Sequence, residues 1–296
     1  MDIVVICNGL GNQMSQYAFY LRKKQLNNST RFIFDRRSLS THNGYELKRI
    51  FDIDYQEKFT EKILFYIFRF LSINRMPRLS KLIFRMLKLI GVKLTIEKPN
   101  YDYEDQNVKS SYGLNFYYGG WHSEKYFLPI ENEVKKVFNF QSDQGDELLM
   151  GMLSRIKSCN SVSIHVRRGD FLVGSNMEMY GSVCTKEYFD AAIKKISSII
   201  DTPQFFVFSN DVLWVKDNLR YENLTIVDFN KGDKSWKDMY LISNCKHNIN
   251  SNSTFSWWGA WLNTHKEKIV ITPKYYINNL VTKDFYPSTW LQITDY

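Results

Sequence analysis

Five short segments in the second half of the chain, at 161–167, 204–208, 224–228, 246–250 and 268–272, read as strands and alternate with stretches of helical periodicity. The helical stretches fall at about 185–200, 211–220, 236–244 and 254–264. Strands alternating with helices of this length predict βαβ units and a parallel sheet. The first half opens the same way, with a strand at 2–7, a glycine turn at 8–11 and a helical stretch from near Asn12. A short strand over Arg31–Asp35, a helical pattern over 61–90 broken at Pro77, a strand over Phe116–Trp121 and a helix over Glu124–Phe138 follow. A chain of 296 residues accommodates two domains. The polar stretch Gln141-Ser142-Asp143-Gln144-Gly145 is the best linker, so the expected domains are 1–143 and 144–296.

The run Ser163-Ile164-His165-Val166-Arg167-Arg168-Gly169-Asp170 ends the first strand of the second half. Val162, Ile164 and Val166 alternate as strand residues do, and Gly169 lets the backbone turn. An arginine there is forked, permanently charged and suited to a phosphate, with His165 and Asp170 placed to hold it in one pose. The carboxyl end of a strand in an open α/β sheet is where phosphorylated ligands bind. An Arg-Arg pair alone would be a solvated basic turn; its company argues otherwise.

Asn250-Ser251-Asn252-Ser253-Thr254-Phe255-Ser256-Trp257-Trp258 places small polar residues before and into a helix. Free N–H groups and hydroxyls at such a helix start favour a phosphate. The tryptophans belong to core and cleft wall rather than to a stacking platform. Asn8-Gly9-Leu10-Gly11-Asn12-Gln13-Met14 follows the first strand, and its glycines permit close approach of a ligand. A dinucleotide fingerprint would put a third glycine where Met14 stands, which undercuts a nicotinamide enzyme. In Phe205-Phe206-Val207-Phe208-Ser209-Asn210-Asp211 a buried strand ends in three polar residues. These either cap the next helix or face a base or ribose. Ser235-Trp236-Lys237-Asp238 has the form of a capping box.

Cys7, Cys159, Cys184 and Cys245 are dispersed without a C-x-x-C pair, which predicts reduced thiols and no zinc site. The chain starts directly with a strand, so a cytosolic protein without a signal peptide is expected. The apolar stretch from Ile63 to Phe68 is cut by Arg69, too short to span a bilayer. The net charge of +8 is concentrated: residues 61–98 hold nine Lys/Arg against Glu61 and Glu97. Arg78, Lys81, Arg85 and Lys88 recur at helical spacing opposite Leu79, Ile83, Met86 and Ile90. Such a helix either lies on an anionic membrane or presents an ordinary solvated face. No nucleic-acid motif accompanies the charge, so nucleic acid is not an expected partner.

Taken together these segments resemble the bacterial α-1,2-fucosyltransferases. The glycine loop 8–14, Gly120-Trp121-His122-Ser123-Glu124-Lys125-Tyr126-Phe127, the 163–170 run, the 206–211 strand end and the 247–262 cluster match in order and spacing, from residue 1 to about 275. The resemblance implies an α/β, GT-B-like fold of two Rossmann-like domains facing a cleft, with an acceptor-side domain first and a donor domain second. It implies inverting transfer of L-fucose from GDP-β-L-fucose to the 2-hydroxyl of a terminal galactose, without a metal or other cofactor. Arg167 would contact the diphosphate, with Arg168, His165 and Asp170 shaping its pocket. Ser253 and Thr254 would help bind phosphate, Asn252, Phe255, Ser209, Asn210 and Asp211 would belong to the same donor site, and Gly11 and Asn12 would face the donor from the other domain. The proton acceptor stays open between Asp170, Glu178 and no strong base. The acceptor would be a surface oligosaccharide, lipid-linked in one version, reached from the cytoplasmic face of the membrane with 61–98 as a peripheral contact. Asn8, Ser15 and Tyr180 depart from the glycine, phenylalanine and histidine usual in relatives.

Overall fold

Among the residues that the computed structural model describes, 1–39, 42–72, 86–141 and 145–296, the chain forms two compact units, Met1–Asn139 and Phe140–Tyr296. The division falls just ahead of the polar stretch at 141–145. Phe140 stacks on Trp236 with ring centroids 5.9 Å apart, which ties it to the second unit.

The first unit is built on a parallel sheet of β1 (Asp2–Ile6), β2 (Arg31–Phe34), β3 (Val92–Ile96) and β4 (Leu114–Tyr118), in the order β2-β1-β4-β3. All five residues of β1 are buried because helices cover both faces of the sheet. Ile3, Val5, Ile33 and Phe116 meet helix Phe59–Leu71 through Leu64, Phe65 and Phe68. Helix Leu10–Leu26 buries Met14, Ala18 and Phe19, and Phe19 stacks on Trp121 at 4.4 Å.

The second unit carries β5 (Ser161–Val166), β6 (Gln204–Ser209), β7 (Leu224–Val227), β8 (His247–Ile249), β9 (Val270–Pro273) and β10 (Leu291–Ile293), all parallel, in the order β10-β9-β8-β5-β6-β7. β5 shows how the local pattern becomes packing. Val162, Ile164 and Val166 enter one core with Tyr188, Phe189 and Ile193. Ser163 and His165 point the other way, where Ser163 Oγ accepts from Asn248 Nδ2 at 2.8 Å. Trp257, Trp258 and Trp261 are buried, as expected of core tryptophans.

In the second sheet the chain builds outward from β5 to β7, then returns to build β8 to β10 on the other side of β5; in the first, β2 lies on one side of β1, and β4 enters between β1 and the edge strand β3. The reversals lie between β1 and β4 and between β5 and β8. Loops at such a switch point part to opposite faces and leave a crevice at the carboxyl ends of the strands.

The structure departs from the sequence-based expectations in four places. Glu124–Phe138 is two short 3₁₀ turns, Glu124–Tyr126 and Leu128–Ile130, followed by helix Glu131–Val137, because Pro129 cannot donate within a continuous helix. Ser235 makes no side-chain cap: Asp238 accepts from Asn230 instead, and Lys237 binds Asp146. Strands β3 and β10 are not anticipated from the sequence: β10 is only three residues long, and the alternating Val92-Lys93-Leu94-Thr95-Ile96 sits inside the basic 61–98 stretch, which is read for its charge. Arg75, Pro77, Arg78, Leu79, Lys81, Ile83 and Arg85 lie outside the described residues. All four cysteines are free.

Candidate functional site

The crevice of the second unit opens where β5 and β8 end. His165 Nδ1 lies 2.8 Å from Ser251 Oγ, joining the two strand ends, and its ring stacks on Phe255 at 5.4 Å. Burial, assisted by the Arg167 charge, pushes this histidine down to about 3, so it is a neutral ring that fixes the loops. From this base the arginines diverge. Arg168 donates from Nε to Asp211 Oδ2 at 3.2 Å, and its guanidinium lies 4.4 Å from the Trp214 ring centroid. Arg167 donates from Nη2 to Asp170 Oδ2 at 3.0 Å, with Nε 2.9 Å from Oδ1, and lies 5.7 Å from the Phe171 ring. Its side chain is the more exposed, 32% against 21% for Arg168. Arg168 therefore braces β5 against β6, and Arg167 is the cation left available to a ligand. Asp170 is the carboxylate that orients it.

The polar end of β6 serves the same loop. Ser209 Oγ donates to Val166 O and accepts from Asp211 N, Asn210 Oδ1 accepts from Arg168 N, and the Asp211 carboxylate also caps helix Val212–Asn218 through Trp214 N. These bonds tie all three side chains to the arginine loop or the next helix start, with Asn210 still exposed. A Cβ at Gly169 would lie 2.5 Å from Asn210 Nδ2, so a larger residue there would displace that amide.

At the start of helix Thr254–Leu262, Ser253 caps by accepting from Phe255 N at 3.3 Å. Thr254 is partly exposed, and the first helical N–H groups, which have no intrahelical acceptors, face the crevice end. Asn252 departs from the expected ligand contact. It is buried and donates to the carbonyls of Tyr180 and Tyr276, clasping two loops. The side-chain amide of buried Asn250 finds no partner in the structure.

In the first unit the switch point gathers Gly11 and Asn12 with the 119–123 turn. Gln16 joins them, accepting from Cys7 N at 2.8 Å and donating to Gly119 O at 2.9 Å. Asn8 has a φ of 65°, a left-handed position that asparagine tolerates, which explains how it stands where relatives usually have glycine. Ser15 Oγ contacts His122 Nδ1 at 3.1 Å, filling the place of the usual phenylalanine with a polar link. Asn12 is partly exposed and Gly11 buried.

The sequence reading takes Ser251 only as one member of the polar run and misses Phe171, Trp214 and Glu97. Phe171 and Trp214 carry no local signal, because each matters only through a residue brought near by strand pairing or a loop turn. Glu97 follows β3; its Oε2 accepts from Gly120 N and Trp121 N at 2.6 and 2.8 Å, while Oε1 is buried without a partner. A Cβ on Gly119 would lie 2.3 Å from Glu97 Cβ, so the glycine makes room for this carboxyl. Burial raises Glu97 to about 7. The folded protein then holds a proton that the unfolded chain releases near pH 4.5, so stability falls as pH rises from that value through 7. Glu97→Gln keeps an acceptor for both N–H groups and is expected to remove this loss. In paired urea titrations, its stability relative to wild type should rise by about 2 kcal/mol between pH 5 and pH 8. A pH-independent difference would show that Glu97 is ionised throughout.

The family model described as "Glycosyl transferase family 11" matches residues 85–294. An alpha-1,2-colitosyltransferase of Escherichia coli is 31% identical, the alignment covering 99% of each chain. The O-antigen biosynthesis glycosyltransferase WbnK of Escherichia coli is also 31% identical, over 91% of this chain and 92% of its own. Among solved structures, a mutant of FUT1 from Arabidopsis thaliana in complex with GDP aligns with 97% of this chain and 75% of its own, with a TM-score of 0.52 at 13% identity. That likeness is one of fold.

Proposed function

We propose, for a chain that belongs to glycosyl transferase family 11, that it transfers L-fucose from GDP-β-L-fucose to the 2-hydroxyl of a terminal galactose, with inversion and without a metal. The observation that carries this reading is Arg167, oriented by Asp170 at the β5–β8 switch point. As the bond between fucose and the diphosphate breaks, negative charge grows on the leaving GDP. A cation already held in place stabilises that charge more in the transition state than in the ground state. The N-terminus of helix Thr254–Leu262 adds N–H donors of the same sign. Metal independence is supported by these positive groups. Among the described residues no group of three or more His, Cys, Asp and Glu is placed to hold a metal ion. Gly11 and Asn12 are assigned to the donor by resemblance to the family alone.

The acceptor in this reading is a galactose-terminated surface oligosaccharide, supported by the O-antigen role in WbnK's name. The 61–98 region would meet the membrane that bears it. Among the described residues no helix is long and apolar enough to cross a membrane.

A second reading follows from the full-length likeness to a colitosyltransferase, whose sugar lacks the 3-hydroxyl of fucose. The two readings are separated by supplying GDP-fucose and GDP-colitose with lactose in EDTA and locating the new linkage by NMR. The expected product carries fucose on the galactose 2-hydroxyl. Product from GDP-colitose alone would select the second reading, and failure to bind either nucleotide sugar would sink both.

A further inference from the structure

Helix Phe59–Leu71 has two apolar faces where a surface helix ordinarily has one. Leu64, Phe65, Phe68 and Leu71 enter the core over β1 and β2. On the opposite side Phe59, Ile63 and Tyr66, at the i, i+4, i+7 spacing of a single stripe, are 78%, 44% and 66% exposed. The segment at 86–90 lies over the same core, with Leu87 packed against it, and presents Met86, Leu89 and Ile90 outward. Tyr112 extends this surface: it is exposed, and a Cβ on neighbouring Gly91 would lie 3.7 Å from its ring. So concentrated a set of exposed large apolar side chains marks an interaction surface rather than scattered surface residues.

The charges around it select the partner. Lys58, Lys62, Arg69, Lys88 and Lys93 are exposed, and none forms a salt bridge among the described residues. The nearby acids are already engaged: Glu61 with Arg31 and Glu57 with Arg36. A second copy seated on this face by two-fold symmetry would set cations against cations. Nucleic acid would use the charge but not the apolar stripe. An anionic bilayer satisfies both, taking aromatic and aliphatic side chains into its interface while its headgroups meet the cations.

We infer that Phe59, Ile63, Tyr66, Met86, Leu89 and Ile90 form a face that inserts into the interface of an anionic membrane, ringed by lysines and Arg69 that meet its headgroups. This deepens the reading above by naming the contact residues, but it rests on the surface and not on the transfer reaction.

The test is flotation of the full chain with vesicles of phosphatidylglycerol and phosphatidylcholine, against vesicles of phosphatidylcholine alone. The wild type should float with the anionic vesicles and at least about tenfold less with the neutral ones. Phe59→Ser/Tyr66→Ser/Leu89→Ser and Lys62→Glu/Arg69→Glu/Lys88→Glu should each lower partitioning at least about tenfold. All six residues are exposed, so both variants should fold and still fucosylate soluble lactose. No flotation at low salt would overturn the inference, and so would unchanged flotation of the serine variant, which would leave only charge attraction. A concentration-dependent dimer in light scattering, abolished by the serine substitutions, would reassign the face to self-association. Flotation without any sugar transfer by the wild type would leave this surface standing and sink the proposed reaction instead.

Discussion

Arg167→Ala is expected to lower kcat/KM for GDP-fucose by about 100-fold or more, since losing a donor aimed at developing charge costs about 3 kcal/mol. The effect should fall mostly on kcat, because this interaction strengthens as the leaving group becomes more negative. Geometry separates Arg167 from its neighbour. Arg168 is spent on Asp211 and Trp214, so Arg168→Ala should loosen the β5–β6 loop and raise KM as well. Arg167→Lys keeps a charge but loses the fork that meets both Asp170 and a phosphate, and should recover only part of the rate. Asp170→Asn decides the role of the carboxylate. If Asp170 only orients Arg167, kcat falls while the shape of the pH profile is kept. If it accepts the proton from the galactose hydroxyl, the acidic limb of that profile disappears. Near-wild-type kinetics in Arg167→Ala would remove the basis of the proposed reaction.

The largest stability effect is expected in the first unit, at Lys23. Its side chain and that of Asp2 are fully buried, with Nζ 3.2 Å from Asp2 Oδ2. The ammonium donates to the carbonyls of Asn107 and Val108 at 3.0 and 3.2 Å and lies 3.8 Å from the Tyr117 ring centroid. Burial lowers the Lys23 pKa against the opposing pull of Asp2, the sign of a charge that has given up water for protein partners. Lys23→Met leaves the Asp2 carboxylate buried with only Ser110 and Asn115 as donors, and should cost about 3–5 kcal/mol. That is a large share of the stability of an ordinary domain. Asp2→Asn in the same chain removes the uncompensated charge, and the double variant should regain at least half of the loss in urea unfolding. Purely additive losses would mean that the two residues do not act as a pair.

The parts of the fold that were legible were those whose signal is local. β5 announced itself by alternation and β6 as an apolar run closed by polar residues, and the arginine loop and the Asn-Ser-rich helix start are continuous in the chain. Glu124–Phe138 misled because charged residues at helical spacing outweighed Pro129. The supposed cap at Ser235 failed because its own backbone is helical, at φ −58° and ψ −24°, and the Asp238 carboxylate accepts from Asn230 instead. Asn252 was legible as a polar residue in the right segment, yet its amide went to the carbonyls of Tyr180 and Tyr276, 72 and 24 residues away.

The sequence by itself determined the elements, the parallel βαβ pattern of the second half and the placement of an arginine pair at a strand end. Side-chain alternation, helical periodicity and turn chemistry are set by near neighbours in the chain. Only the tertiary structure decided that β5 lies between β6 and β8, and hence that Arg168 is a brace, Arg167 a partly exposed fork oriented by Asp170 and His165 a neutral link to Ser251. It also buried Lys23 as an ammonium beside Asp2 and Glu97 as a carboxyl that keeps its proton up to about pH 7. A side chain's protonation and hydrogen-bond partners depend on what lies within a few ångströms, and strand order, not chain proximity, sets that.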